Sequence, residues 1–287
     1  MDRYKQKAMR FRQLHHDSKI LIIPNAWDVA SARVFAMSGF PAVGTTSMGV
    51  SAALGLAEPQ VISFEEMAGV VSRIVGALDV PVTADMEAGY GSTTDEIVSC
   101  MERVIDIGAV GINIEDGTDF PTGSLIDPAL MSERIAAIRQ RCDELEKPLV
   151  INARIDVYIN AVGEPQSRLD QTLHRASQYV EAGADCIFVP GGLEEETIAN
   201  LVKEIPAAVN VVANPAISVP VVPPISVLQD LGVARVSVGS GIMRATLGLI
   251  RRITDELLQS GTYDTMREHL TPSAADAYEM AIGRHQT

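Results

Sequence analysis

Lysine is scarce in this chain of 287 residues: only Lys5, Lys7, Lys19, Lys147 and Lys203 occur. Lys19 and Lys147 precede apolar strands, at the end opposite to where a reacting carbonyl would be met, so Schiff-base chemistry is not expected. Histidine is equally rare, and His15, His16, His174, His269 and His285 fall in helical patterns or in the tail. With no histidine at a strand end, neither a zinc site nor a Ser/His/Asp triad suggests itself. Cys100, Cys142 and Cys186 stand far apart without metal-ligand spacing and read as buried, reduced thiols. Lys and Arg together number 23 against 37 Asp and Glu, a net charge of −14, which argues against a nucleic-acid partner. A small anionic substrate remains compatible, because one local cation outweighs distant surface charge. No run of about 18 apolar residues exists to cross a membrane. The start, Met1-Asp2-Arg3-Tyr4-Lys5, leads into a polar helix without a signal-peptide core, so a cytoplasmic location is expected.

What the chain does have is apolar mass, 47% of residues, arranged in a repeating pattern. Short apolar runs at 20–24, 42–46, 80–85, 110–115, 149–154, 186–190, 209–214 and 235–238 read as strands. Helical patterns lie between them at about 28–38, 62–77, 94–107, 130–144, 166–182, 194–204 and 224–231. Eight strands separated by helices imply parallel pairing and an α/β fold, with a (β/α)₈ TIM-type barrel as the leading architecture. An open doubly wound sheet is second, since the first strand–loop–helix unit lacks the G-x-G-x-x-G fingerprint. Ser63-Phe64-Glu65-Glu66 and Ser92-Thr93-Thr94-Asp95 mark helix starts, and Gly108 and Gly183 suit left-handed helix ends. Further helices at roughly 241–258, 262–270 and 273–283 exceed what a barrel needs. Residues 1–287 therefore read as one barrel domain with 241–287 as a helical extension, packed on a neighbouring subunit or capping its own barrel.

Chemistry in such a barrel belongs at the C-terminal ends of the strands. The third strand ends in Asp85-Met86-Glu87 followed by Gly89-Tyr90-Gly91, and strand alternation would point Asp85 and Glu87 the same way. The fourth ends in Glu115-Asp116, the fifth in Asn152, Arg154 and Asp156, the seventh in Asn214, and the eighth in Ser237 with Gly239-Ser240-Gly241 beyond. The first runs into Asn25-Ala26-Trp27-Asp28, and the second into Thr46-Ser47-Met48-Gly49, a hydroxyl-rich turn with free backbone N–H groups. Asp85, Glu87 and Glu115 would converge over the mouth, with Glu58 on the second loop. Carboxylates so crowded raise one another's pKa unless a cation joins them. An all-oxygen set favours a hard ion that retains waters, Mg²⁺ or Mn²⁺. Arg154 would then stabilise negative charge on an oxygen-rich substrate, or else form a structural ion pair with Glu115 or Asp156. Trp27 either lines the pocket or packs, and Asn214 gains weight only from its position. Gly239-Ser240-Gly241 reads as a helix start before a phosphate cradle.

Taken together, Pro24–Asp28, Thr46-Ser47-Met48 with Leu54-Gly55-Leu56-Ala57-Glu58, Asp85-Met86-Glu87-Ala88-Gly89-Tyr90-Gly91, Gly111-Ile112-Asn113-Ile114-Glu115-Asp116 and Asn152-Ala153-Arg154 resemble the isocitrate lyase / phosphoenolpyruvate mutase superfamily. The resemblance implies a barrel whose C-terminal helix is exchanged between subunits, in homodimers or homotetramers. It implies Mg²⁺ held by Asp85, with Glu58, Glu87 and Glu115 acting directly or through water. It also implies that the backbone at Thr46–Met48 grips the carboxylate of a 2-oxo acid while Arg154 attends the enolate or transferred group.

Two departures matter. The Lys-Lys-Cys-Gly-His loop of isocitrate and methylisocitrate lyases is replaced by Gly117-Thr118-Asp119-Phe120-Pro121-Thr122-Gly123-Ser124, leaving Tyr158, Thr118 or Asp119 as candidate acids. The mutase loop, Lys-x-Phe-Pro-Lys-Thr-Asn, is echoed only by Phe120-Pro121 and Thr122, and Gly44 and Pro190 stand where mutases carry Trp and His. The leading expectation is a Mg²⁺-dependent lyase cleaving a C–C bond of a small 2-hydroxy or 2-oxo carboxylate. The alternatives are a phosphonomutase or hydrolase acting at a C–P bond, and a metabolite-binding protein without turnover.

Overall fold

The computed structural model describes residues 2–56, 61–118, 123–216 and 220–283. In chain order α1 (Arg3–Leu14), β1 (Leu21–Ile23), β2 (Asn25–Ala26), α2 (Val29–Met37), β3 (Val43–Thr45) and α3 (Ser47–Ala53) come first. They are followed by α4 (Phe64–Ala77), β4 (Val82–Asp85), α5 (Thr94–Ile107), β5 (Gly111–Glu115), α6 (Pro128–Glu144) and β6 (Val150–Arg154). The remainder is α7 (Arg168–Glu181), β7 (Cys186–Val189), α8 (Glu195–Glu204), β8 (Ala208–Val212), α9 (Ile225–Asp230), β9 (Arg235–Ser237), α10 (Gly241–Gln259), α11 (Asp264–His269) and α12 (Pro272–Ala281).

Every pairing between these strands is parallel, in the order β1-β9-β8-β7-β6-β5-β4-β3-β2. The two ends of that order are halves of one strand, separated only by Pro24, so the sheet curls round into a (β/α) barrel. Proline has no N–H to donate to a ladder, and a break is expected there. The buried side chain of Asn25 bridges it. Its Nδ2 donates to Thr45 O on one side (2.8 Å), and its Oδ1 accepts from the N–H groups of Val238 and Gly239 on the other (2.9 and 2.8 Å).

Local signals explain the helices. Ser63 and Thr93 cap α4 and α5 in reciprocal boxes with Glu66 and Glu96, and Gly108 and Gly183 take the left-handed conformation expected of them. The apolar residues of α1 recur at helical spacing. Ala8, Phe11 and Leu14 are buried against Leu21, Ile23, Val110 and Val150, which closes the N-terminal end of the barrel. One small helix escapes the periodicity: α3 occupies a segment that reads as a turn, because Ser47-Met48-Gly49-Val50-Ser51-Ala52-Ala53 carries too few large apolar residues to show a stripe. The three cysteines are free thiols, Cys142 and Cys186 buried and Cys100 half-buried. No helix among the described residues is long and apolar enough to cross a membrane.

His15 ends this plug. Its Nδ1 bonds to Phe11 O at 2.9 Å and its ring stands edge-on to Phe11. Burial, and then the charge of Arg235, push the imidazole down to about 3 against the weaker pull of the Phe11 carbonyl. The fold therefore holds His15 neutral where the unfolded chain would protonate it. That contribution to stability is whole above about pH 6.5 and is lost as pH falls towards 3. Urea titrations at stepped pH are expected to show His15→Gln losing less stability than the parent over this window, by a slope of up to about 1.4 kcal/mol per pH unit. Parallel curves would refute it.

The C-terminal helices leave the barrel. Met243 is the one buried residue of α10, while Leu247, Ile250, Leu257 and Leu258 are exposed. The last helix, α12, lies on α2 of its own chain, where Arg33 Nη1 donates to Ala281 O at 3.3 Å.

Candidate active site

Asp85 is the last residue of β4 and is nearly buried. Its N–H donates to Thr45 Oγ1 at 2.8 Å, and its Oδ2 accepts from the N–H and the Oγ–H of Ser47 at 2.8 and 2.9 Å. The turn expected to offer free N–H groups is thus partly occupied. Ser47 N–H is bound to Asp85, Thr46 N–H donates to Ala26 O (3.1 Å), and Thr46 Oγ1 caps α3. What the arrangement achieves is to fix one oxygen of Asp85 from two directions, holding the carboxyl against the pocket wall.

Glu87 reaches the same pocket by another route than alternation. The strand stops at Asp85, and Glu87 adopts a left-handed backbone (φ 48°), as does Tyr90 (φ 59°). Such conformations are uncommon for residues other than glycine. Here Glu87 O accepts the Glu115 N–H (2.9 Å), and Glu87 Oε1 accepts the Tyr90 hydroxyl (3.1 Å). Gly89-Tyr90-Gly91 shapes this turn, and Ser92 and Thr93 donate their N–H groups to Glu96.

Glu115 and Asp116 point to opposite faces at the end of β5. Glu115 Oε2 pairs with Arg154 Nη1 at 2.7 Å. The other edge of Arg154 is bound bidentately by Asp156, Nε to Oδ1 at 2.6 Å and Nη2 to Oδ2 at 3.0 Å, and its guanidinium lies 5.9 Å from the Phe188 ring centre. The ion pair weighed for Arg154 therefore forms with both carboxylates while the residue still lines the pocket. Asp116, itself fully buried, faces outward into a largely buried anchor. It accepts the Asp156 N–H (2.9 Å), the Tyr179 hydroxyl (2.8 Å) and Arg175 Nη1 (3.0 Å). Gly117 follows because a Cβ there would overlap Asp156 Oδ2. Burial raises Glu115 well above the ordinary carboxylate range. Arg154 opposes the shift, and the charges of Asp156, Asp85 and Glu87 add to it.

The pocket at the strand ends is lined by Asp85, Glu87, Glu115 and Arg154, with Thr46, Ser47 and Met48 at one rim and Ser237, Gly239 and Ser240 at another. Ile159, Phe188, Pro190 and Val212 form an apolar wall. Two expected residues are elsewhere. Trp27 lies outside: β2 stops at Ala26, Asp28 caps α2, and the indole packs edge-on to Phe35 beside a separate groove. Asn214 is buried past the end of β8, its Oδ1 accepting the Ala216 N–H (3.0 Å), and it lies behind Gly241. Glu58 and Asp119 fall outside the described residues, as do Phe120, Pro121 and Thr122. Thr118 is tied to Ser124 O, and neither it nor Tyr158 reaches the pocket lining. Gly241 is the first residue of α10, the helix start expected of this segment, and the N–H of Gly239 just before it is held by Asn25.

Asn113, Ile159, Phe188 and Val212 are the additions to the pocket that sequence reasoning does not single out, while Asn25 and Pro190 are visible in the sequence only by their places at strand ends. Asn113 stands two residues before Glu115, so strand alternation could have placed it on the pocket face. Phe188 and Val212 belong to strands whose ends carry no charge to advertise them.

With that geometry in place, similarity to known proteins becomes informative. The phosphoenolpyruvate phosphomutase family model matches residues 11–258. The chain belongs to this family, within the isocitrate lyase / phosphoenolpyruvate mutase superfamily. A solved structure from Burkholderia cenocepacia, described only as a lyase/mutase, superposes with a TM-score of 0.87 at 32% identity, over 95% of this chain and 96% of that one. An uncharacterized protein of Mycobacterium tuberculosis is 38% identical over 233 residues, 81% of this chain and 82% of the relative. The 2-methylisocitrate lyase of Halalkalibacterium halodurans is 30% identical over 207 residues, 70% of this chain and 65% of the lyase. The superfamily comprises C–C lyases and phosphonomutases, and this member's pocket has the acidic strand ends on one side and an apolar wall on the other.

Proposed function

We propose that this protein is a Mg²⁺-dependent lyase that cleaves a C–C bond in a small 2-hydroxy or 2-oxo carboxylate. The observation that carries this is the asymmetry of charge in the pocket. Three carboxylates face it, whereas Arg154 is the one cation among its described lining residues, and that cation is already paired with Glu115 and Asp156. A migrating phosphonyl group would bring more negative charge than this wall can meet, while an alkyl-bearing carboxylate matches Ile159, Phe188, Pro190 and Val212.

The residues present fit a hard divalent ion. Among the described residues no three His, Cys, Asp or Glu side chains stand close enough to cage a metal by themselves. The donors that do line the pocket, Asp85, Glu87 and Glu115, are oxygens alone, which suits an ion that keeps waters, as Mg²⁺ and Mn²⁺ do. Asp85 would hold it, with Glu87, Glu115 and Glu58 acting directly or through water. When bound, the ion supplies charge stabilisation at an oxo-acid oxygen. The chain's own residues do the positioning: Ser47 orients Asp85, Tyr90 holds Glu87, and Asp156 aims Arg154 at the pocket. The exposed apolar residues of α10 support assembly into a homodimer or homotetramer.

The test is a panel of methylmalate, oxaloacetate and citrate-like acids incubated with purified protein and Mg²⁺. Release of a 2-oxo acid is expected, and a panel without product would refute C–C cleavage. The phosphonomutase or hydrolase alternative is supported by the name of the matching family. Conversion of phosphonopyruvate followed by phosphorus NMR would favour it. A ligand that raises the melting temperature without any product would favour binding without turnover.

A further inference from the structure

We propose that Arg235, in the layer beneath the pocket, is the buried counter-charge of the carboxylate cluster, acting through Asn113 to loosen divalent-cation binding and to favour the anionic substrate. It presupposes the metal site proposed above and adds a residue that touches neither metal nor substrate.

Arg235 opens β9, two residues before Ser237, which lines the pocket; alternation puts both on the inner face, with Arg235 one layer deeper. It is fully buried, and no ion pair involves it among the described residues. Its Nη2 donates to Asn113 Oδ1 at 3.3 Å, while Nε and Nη1 find no hydrogen-bond partner. Asn113 itself lines the pocket and is the cross-strand register partner of Asp85. Its Oδ1 also receives Asn152 Nδ2 at 2.7 Å, which fixes the amide between the two layers.

A cation at this depth is strongly disfavoured unless a negative potential compensates it. The groups below it cannot supply one. The Phe11 ring, 6.0 Å from the guanidinium, offers only its face. His15 and the buried Cys186 thiol, the latter raised to about 12, are both uncharged at neutral pH. Arg235 is drawn down by burial to about 10 and so remains charged, and Asp85 is the carboxylate whose field it feels. The compensation therefore comes from above. A site with Asp85, Glu87 and Glu115 in one pocket sits over a fixed positive charge, which eases their mutual repulsion before any ion binds. The same charge opposes a divalent ion and attracts an anion.

Those opposite signs make the test specific. Mn²⁺ binding is measured by electron paramagnetic resonance, and oxalate binding to the Mn²⁺-loaded protein by calorimetry, in the parent, Arg235→Gln, Arg235→Met and Arg235→Lys. The neutral variants are expected to bind Mn²⁺ about tenfold more tightly and oxalate about tenfold more weakly, with the lysine variant within about threefold of the parent. Unchanged affinities, or both affinities falling together, would overturn the proposal, because a purely structural arginine predicts one or the other. Folding of the lysine variant alone would support it, since charge is then what the layer requires; failure of all three would overturn it. A parent protein that binds no Mn²⁺ would overturn the metal site itself, a separate failure.

Discussion

Asp85→Ala is expected to abolish divalent-cation binding and to reduce turnover on the order of 10³-fold or more while the protein still folds. In the site proposed above Asp85 would hold the ion directly, its Oδ2 fixed by two hydrogen bonds from Ser47 at the end of β4. Two effects on stability oppose each other. Ser47 loses its acceptor, which costs about 1–3 kcal/mol if the donors stay dry. Glu87 and Glu115 lose a like-charged neighbour, which offsets part of that. Circular dichroism and Mn²⁺ titration of the purified variant separate fold from site. The isosteric Asp85→Asn keeps an oxygen for Ser47 and should retain stability while still losing the ion. Normal turnover in either variant would place the active site elsewhere.

Asp116→Ala should have the largest effect on stability, about 3–5 kcal/mol, because it leaves the half-buried Arg175 and the buried Tyr179 hydroxyl without the carboxylate they share. Arg175 Nη1, the Tyr179 hydroxyl and the Asp156 N–H all converge on Asp116, which has no exposed surface. For a chain of this size the loss corresponds to a melting point lower on the order of 10 °C. Tyr179→Phe removes one of the three bonds and should cost about 1 kcal/mol. Because Asp156 grips Arg154, loosening Asp116 should also lower turnover in whatever fraction remains folded. A denaturation midpoint within error of the parent's would show that the network carries little energy.

Much of the barrel is legible in the sequence, for a definite reason. Strands covered on both faces are written as mainly apolar runs such as Cys186–Val189, and in β4, β5 and β6 a charged residue at the end of the run announces the mouth. Asp85, Glu115 and Arg154 were therefore visible as inward-facing strand ends, and all three line one pocket. Glu87 was placed in the pocket by an argument that fails: alternation stops at Asp85, and the left-handed backbone at Glu87 does the turning. Trp27 and Asn214 show the same limit, since beyond the last ladder residue the face a side chain takes is set by the next cap or turn. The Thr46–Met48 segment looked like a turn of open donors, and only the fold reveals that Asp85 takes one of them. Arg235 was hidden differently. A charge within an apolar strand is visible, but its depth depends on which strands flank it, and Asn113 comes from a segment 122 residues away in sequence.

The seam at Pro24 carries a consequence for how the molecule ages. Asn25 joins β9 to β3 with one primary amide that gives a hydrogen on one side and an oxygen on the other. Deamidation would turn that donor into a second oxygen facing the Thr45 carbonyl. Such a change at a single side chain would break the bridge at the rim of the pocket, while the β1–β9 and β2–β3 ladders still close the barrel, with no peptide bond cut.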